Sequence, residues 1–393
     1  MPNNISRRSL LKRGALLAGG LPFVNSILDP AQASPVARLS APDGFMGDAY
    51  TERSIALNAP ADLKARLFAN ENPFGPSDKA KEAIQKALSM SYRYPMMQTF
   101  EISKKIAAFE GITPDNILMA AGSSALLQAA AIRFSKPGGN IVTGDPSYDD
   151  LPGRAAFFNE KWIKVPLTAD YKLDLDAMEK SIDDNTGLVY ICNPNNPTAT
   201  VVDAAKLKSF CERVSKKVTV FVDEAYIDYL DDPASMTMIS AVKAGQNVIV
   251  ARTFSKLYGF AGLRVGYVVG QKDMITQLSG YTEGSWSISG TSAEAALVSY
   301  QDKDYLGAAL KKTNASKEYL YSVLKKEGYE YIPSSANFVL FPIKMDGRRF
   351  ADEMMKRGVG VRYWKFSGKD WCRVSIGRMD EMEAFAAAFK ELS

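Results

Sequence analysis

Histidine is missing altogether from this chain of 393 residues. Its absence excludes Ser-His-Asp triads, Cys-His dyads and zinc sites built on imidazole. Any acid–base work must fall to Lys, Asp, Glu, Tyr or Cys. Cysteine is scarce: Cys192, Cys211 and Cys372 are the only three. Their spacing matches no metal motif, so no metal is expected, and an odd count argues against a disulfide framework. A surplus of one charge is lacking too, since a net charge of +4 gives no reason to expect nucleic acid. The apolar stretch over 14–28 is interrupted by Gly19, Gly20 and Pro22, and it is short for the roughly 20 residues that cross a bilayer. No stable membrane anchor is therefore expected. What remains is a composition of 46% hydrophobic and 23% charged residues, that of a soluble globular protein. The length exceeds one ordinary core and favours two domains.

The first 33 residues read as an address rather than as fold. Arg7 and Arg8 head the segment, the apolar stretch follows, and Ala31-Gln32-Ala33 offers a small-residue cleavage site before Ser34. The arginine pair resembles the twin-arginine export signal, with Leu10 where a Phe is common. Export, with a periplasmic destination, is the expectation; a cytoplasmic protein with an amphipathic N-terminal helix is the alternative. Residues 34–66 read as an irregular arm.

From there the chain alternates apolar β-branched runs with helical periodicity. Short strands are expected over 117–120, 140–143, 161–165, 187–192, 218–222, 248–251 and 264–269, most of them followed by a helix or a polar turn. Such alternation argues an α/β fold, a mostly parallel sheet covered by helices on both faces. After about residue 280 the style changes to two helices, three strands and a closing helix, which reads as a smaller α+β domain. The expected division is a large domain over 91–280 and a small one over 67–90 with 281–393.

The candidate chemistry sits where those strands end. Asn196, Asp223 and Lys256 each follow an apolar run, and each pair is separated by room for one crossover helix. Consecutive parallel strands would bring the three to one edge of the sheet, where an open α/β fold presents its site. A lysine there is a nucleophile towards carbonyls. Gly122-Ser123-Ser124 opens a helix whose free N–H groups suit an anion. Each motif alone has a dull reading as a turn, a cap or a surface charge. Together they fit one cofactor, pyridoxal phosphate. Lys256 supplies the amine for its aldehyde and Asp223 the anion for its ring nitrogen. Asn196 and Tyr226 are donors for its ring oxygen, and Tyr148 is a stacking partner. Ser123, Ser124, Thr253, Ser255 and Arg264 form the phosphate cup. Lys256, Asp223 and Tyr226 are the candidate catalytic residues.

Several stretches then carry a resemblance: Asn70-Glu71-Asn72-Pro73-Phe74-Gly75-Pro76, Tyr94-Pro95, Asn193-Pro194-Asn195-Asn196-Pro197-Thr198, Asp223-Glu224-Ala225-Tyr226 and the run from Arg252 to Tyr267. From roughly Leu67 onward the chain resembles fold-type-I aminotransferases, and most closely the histidinol-phosphate aminotransferase family. The resemblance implies a homodimer with active sites at the subunit boundary, in which Tyr94 reaches the neighbouring subunit's cofactor phosphate. It implies that Arg373 clamps the substrate carboxylate, that Arg362 contacts a distal phosphate, and that Asn337 and Asn72 lie near the substrate. The expected reaction moves an amino group between an amino acid and an oxo acid. Decarboxylation, racemisation or elimination on the same cofactor, and a non-catalytic cofactor-binding module, are the alternatives.

Two departures bear on the substrate. Ala199 stands where the family's turn has glycine, so the turn is expected to avoid a strained backbone angle there. The segment 284–290 does not match the family's usual Phe-Asn-Val run. The aromatic residues Tyr148, Trp286, Tyr363 and Trp364 point to an aromatic or otherwise bulky substrate.

Overall fold

Every central strand of the large sheet is apolar on both faces, and that decides where it lies. The computed structural model describes Ala59 and residues 62–393 except Asn159; the expected signal segment and most of the arm lie outside the described residues. In chain order the strands are β1 (Ala65–Arg66), β2 (Ile117–Ala120), β3 (Asn140–Asp145), β4 (Lys161–Pro166), β5 (Thr186–Cys192) and β6 (Thr219–Asp223). They continue with β7 (Val248–Thr253), β8 (Gly266–Val269), β9 (Phe338–Ile343), β10 (Val359–Gly360), β11 (Arg362–Phe366) and β12 (Lys369–Ser375). Strands β5, β6 and β7 are buried along their whole lengths, as runs covered by helices on both sides must be.

Seven strands form one sheet in the order β2-β8-β7-β6-β5-β3-β4. All neighbours are parallel except β8, which runs antiparallel to β2 and β7. On one face, Val189, Ile191, Val220, Val222 and Val250 join a core with Ala80 and Ala293. On the other, Leu188, Tyr190, Phe221 and Ile249 meet the Ser123–Phe134 helix through Leu126, Leu127 and Ala130. The alternation follows from the two-residue repeat of a strand.

A second sheet, antiparallel in the order β11-β12-β9, carries its own core. Leu320, Leu324, Phe350, Met354, Phe385 and Phe389 from three helices fill it. The short β1 pairs with β10, tying the segment that leads into Asn70 to this sheet. The described residues belong to one compact unit, and the division between its cores differs from the expected one. The Asp78–Ala87 and Gly290–Ser299 helices pack on each other and share the large sheet's core. Their small alanine faces allow close approach; the small core holds Ala65 and Leu67 and resumes only with the Lys303–Lys326 helix.

Candidate active site

Register across the central strands aligns their carboxyl ends: Cys192 of β5 pairs with Asp223 of β6, and Asp223 with Ala251 of β7. The turns that follow therefore open on a common edge. A cavity of about 410 Å³ lies there, and Ser123, Ser124, Tyr148, Asn196, Asp223, Tyr226, Thr253, Ser255, Lys256 and Arg264 all line it. These are the residues expected to hold pyridoxal phosphate, Tyr94 excepted. Such a volume suits a cofactor of this size.

The individual side chains are held by local structure. Asp223 ends β6 with its carboxylate buried; Oδ1 accepts the Ala225 N–H at 3.0 Å and Oδ2 accepts the Tyr190 hydroxyl at 2.9 Å. Burial pushes its carboxyl up to about 6, against the lowering pull of Tyr190, the Ala225 N–H and the Lys256 charge. Lys256 reaches back from the loop after β7, donates to the Asn70 carbonyl at 3.3 Å and lies 5.2 Å from the centre of the Tyr226 ring. The Tyr226 hydroxyl accepts from Asn70 Nδ2 at 3.1 Å, and burial raises its pKa. The Thr253 hydroxyl accepts the Ser255 N–H at 3.1 Å, which folds the chain back at the end of β7.

The anion cup is built around Gly122. It adopts φ +81, and a Cβ there would strike the Arg264 guanidinium. Only glycine lets that guanidinium lie beside the start of the Ser123–Phe134 helix, whose N-cap makes no side-chain hydrogen bond. Arg264 itself donates to Ser255 Oγ at 3.2 Å and to the Ala261 carbonyl at 3.0 Å. Open helix N–H groups, hydroxyls and a guanidinium make a phosphate site. With an amine, a buried carboxylate and the Tyr148 ring in the same cavity, the donor set fits pyridoxal phosphate.

The expected substrate residues form a layer beyond the cavity lining. Arg373 is fully buried; it donates to Asn196 Oδ1 and to the Phe68 carbonyl, both at 2.6 Å. Arg362 pairs with Arg373 across β11 and β12. Both guanidiniums lie against the Trp364 ring, that of Arg362 at 4.3 Å and that of Arg373 at 4.7 Å from its centre. Asn337 donates to the carbonyls of Asn70 and Glu71 at 3.0 and 3.2 Å, bracing the loop under Lys256. Asn72 braces a turn: its amide donates to the Leu257 carbonyl at 2.6 Å and its oxygen accepts the Phe74 N–H. Tyr94 stands 76% exposed, edge-on to Trp286, away from its own chain's cavity. Trp286 shares that surface and does not line the cavity either.

A correction concerns Ala199. The turn does not avoid the left-handed region: Ala199 adopts φ +57. Its N–H is held by the Asn195 carbonyl at 2.8 Å, and its carbonyl accepts the Ser335 N–H at 2.9 Å. That fixed backbone outweighs a steric cost of roughly 1–2 kcal/mol. Sequence reasoning missed Asn70, whose carbonyl and amide touch Lys256 and Tyr226, and Tyr190 behind Asp223. It also missed Asp150 and Arg154, an ion pair at 2.9 Å on the cavity wall. Asn70 lay inside a matching stretch, and Tyr190 stands two places before the end of β5, on the face Asp223 shares.

A parallel-stranded α/β fold with a lysine, a buried carboxylate and an anion cup at its strand ends is the arrangement of an enzyme that works with pyridoxal phosphate. The sequence profile of the aminotransferase class I and II family matches residues 64–389, and the chain belongs to that family. It is 36% identical over 329 residues to a histidinol-phosphate aminotransferase of Moorella thermoacetica, covering 83% of this chain and 85% of that one. It is 35% identical over 320 residues to an aromatic amino acid aminotransferase of Mycolicibacterium vanbaalenii, covering 81% and 90%. Among solved structures, the histidinol-phosphate aminotransferase of Sinorhizobium meliloti in complex with pyridoxal phosphate shares the fold. Its TM-score is 0.80 at 24% identity, over 91% of this chain and 100% of that one.

Proposed function

We propose that this aminotransferase acts on amino acids or amines with an aromatic or anionic distal group, as an exported homodimer. The observation that carries the substrate reading is the indole of Trp364 in contact with two buried arginines. Arg373 is tied to the cavity through Asn196 and offers a planar fork for an α-carboxylate. Arg362, held against Trp364, offers a second cation for an anionic group at the other end. Relatives named for histidinol phosphate and for aromatic amino acids use substrates of that description.

Pyridoxal phosphate, when bound, supplies an aldehyde and an electron-withdrawing ring. Lys256 would supply the amine that holds that aldehyde and, once free, would take the proton from the substrate's Cα. Asp223 would keep a proton on the ring nitrogen. Asn196 and Tyr226 would meet the ring oxygen, Tyr148 would stack on the ring, and the Ser123–Ser124 helix start, Ser255 and Arg264 would hold the phosphate. Arg373 fixes the substrate so that its Cα–H faces Lys256.

The dimer reading rests on a surface. Leu88, Met90, Tyr92, Tyr94, Met97 and Trp286 are all exposed, and a groove of about 820 Å³ runs beside Tyr94 between the Asp78–Ala87 and Gly290–Ser299 helices. An apolar patch of this kind suits a second copy, which would bring Tyr94 to the partner's phosphate cup. Export rests on the arginine pair, the apolar stretch and the A-x-A site within residues 1–33.

A donor panel with oxoglutarate as acceptor tests the substrate reading. Phenylalanine, tyrosine, tryptophan, histidine and histidinol phosphate are compared with alanine and aspartate by kcat/KM. At least one aromatic or phosphorylated donor is expected to exceed alanine by about tenfold or more, the scale of one good side-chain contact. A preference for alanine or aspartate rejects the reading.

A further inference from the structure

Asp223 has a neighbour that the reaction scheme does not use. Tyr190 lies within β5, and Cys192, two residues later, pairs with Asp223 across to β6. Side chains repeat every second residue along a strand, so Tyr190, Cys192 and Asp223 point to one face. The Tyr190 ring is wholly buried and lies tilted against Phe221, centroids 6.0 Å apart. Its hydroxyl donates to Asp223 Oδ2 at 2.9 Å, while Oδ1 takes the Ala225 N–H at 3.0 Å. Each carboxylate oxygen thus has one protein donor, and the two donors, on β5 and after β6, fix the carboxylate's rotation.

We propose that Tyr190 is a positioning residue for the cofactor's ring nitrogen, acting through Asp223 by holding that carboxylate oriented and ionised to pair with it. Burial strips solvation from the carboxylate and favours its neutral form; a donated hydrogen bond favours the charged form. A neutral acid cannot pair with a protonated pyridine. Burial and the neighbouring Asp223 hold the phenol's own pKa well above the ordinary value, so it remains a donor at any working pH. In a chain without histidine, a phenol provides this bond without adding a second group that titrates near neutrality. The other charged or titratable groups facing Asp223 pull in both directions. Lys256, beyond β7, favours its charged form; Asp150, on the helix after β3, opposes it; the Cys192 thiol beside it on β5 is held neutral by burial.

The test uses the apoenzyme in four forms: wild type, Tyr190→Phe, Asp223→Asn and the double variant. Pyridoxal phosphate affinity is measured by equilibrium dialysis from mildly acidic to mildly alkaline pH. The Asp223 carboxyl carbon is followed by NMR over the same range without cofactor. Tyr190→Phe keeps the ring and removes the donor. The midpoint of the acid-side loss of affinity, and of the carboxyl titration, is expected to move up by about one pH unit, the worth of one hydrogen bond to a charged group. Near pH 7 the affinity falls about twofold, and the loss grows towards about tenfold below both midpoints. In the Asp223→Asn background the same change has no further effect on the pH profile. Unmoved midpoints, or equal losses in both backgrounds, overturn the proposal; a tyrosine that only packs would change thermal stability and leave the titration in place. Site-specific difluorotyrosine at position 190 preserves the fold and is a stronger donor. It is expected to shift the titration down, and no shift refutes the role even if the phenylalanine variant does not fold. The NMR readout needs no cofactor, so it stands apart from any failure of the enzyme to load.

Discussion

Asp223 is buried without a cation in hydrogen-bond contact, and its carboxyl is pushed up to about 6. The consequence for stability has a definite sign. The folded value lies above the ordinary 3.8, so between about pH 4 and pH 6 the folded apoenzyme binds more protons than the unfolded chain. This group's contribution therefore falls as pH rises through that window, and the loss persists above it. A difference of about two units is worth roughly 3 kcal/mol as an upper value. Asp223→Asn is accordingly expected to stabilise the apoenzyme near neutral pH and to lose that advantage as pH falls towards 4. Urea unfolding of both apo forms at the two pH values checks it; an equal gap at both would contradict the assignment. Activity moves the opposite way, since the variant lacks the anion for the ring nitrogen. Ala199 illustrates a limit on reading residues singly. Its left-handed angle is imposed by partners at Asn195 and Ser335, the latter far along the chain, which no local propensity could reveal.

The loop from Ser255 to Val265 sets Lys256 between β7 and β8, and glycine decides its path. Gly259 adopts φ +76, and a Cβ there would collide with the backbone of Gly75 and Pro76. Neither backbone can move without disturbing the turn that Asn72 braces against Leu257. Gly259→Ala is expected to cost about 2 kcal/mol or more and to weaken cofactor binding at unchanged Lys256 chemistry. Chemical denaturation together with cofactor titration measures both, and a variant as stable as wild type would show that the loop yields. The central strands were legible because β-branched runs buried on both faces read as parallel strands. Their ends were legible because polar residues take over there. The edges of elements were less so: β8 starts at Gly266 rather than Arg264, because Arg264 turns left-handed at φ +54 to bring its guanidinium to the cup. Tyr190 and Asn70 escaped notice for a related reason. One looks like any core aromatic in a strand, and the other acts mainly through its backbone carbonyl.

For the assembled protein, the proposed dimer and the proposed export each make a separate prediction. Light scattering should give twice the chain mass. Met97→Glu places a charge in the exposed apolar surface and should shift the population to monomer with activity reduced about tenfold or more, because one buried unpaired charge costs several kcal/mol. A wild-type monomer of full activity would dismiss the shared site. Replacing Arg7 and Arg8 by lysine should leave the protein in the cytoplasmic fraction, while an unchanged distribution would dismiss the twin-arginine route.

The alternation of strands and helices, the cofactor class and ten residues that line one cavity followed from the amino-acid order, because each depends on local pattern: apolar runs, turn residues and a lysine, a carboxylate and an asparagine at successive strand ends. Only the packed structure decided which partners act through others. Tyr190 orients Asp223, Asn70 receives Lys256, Asn72 serves a turn, and two arginines close on one tryptophan. Those relations join residues far apart in the chain, and their geometry depends on sheet register and on which cores the helices share.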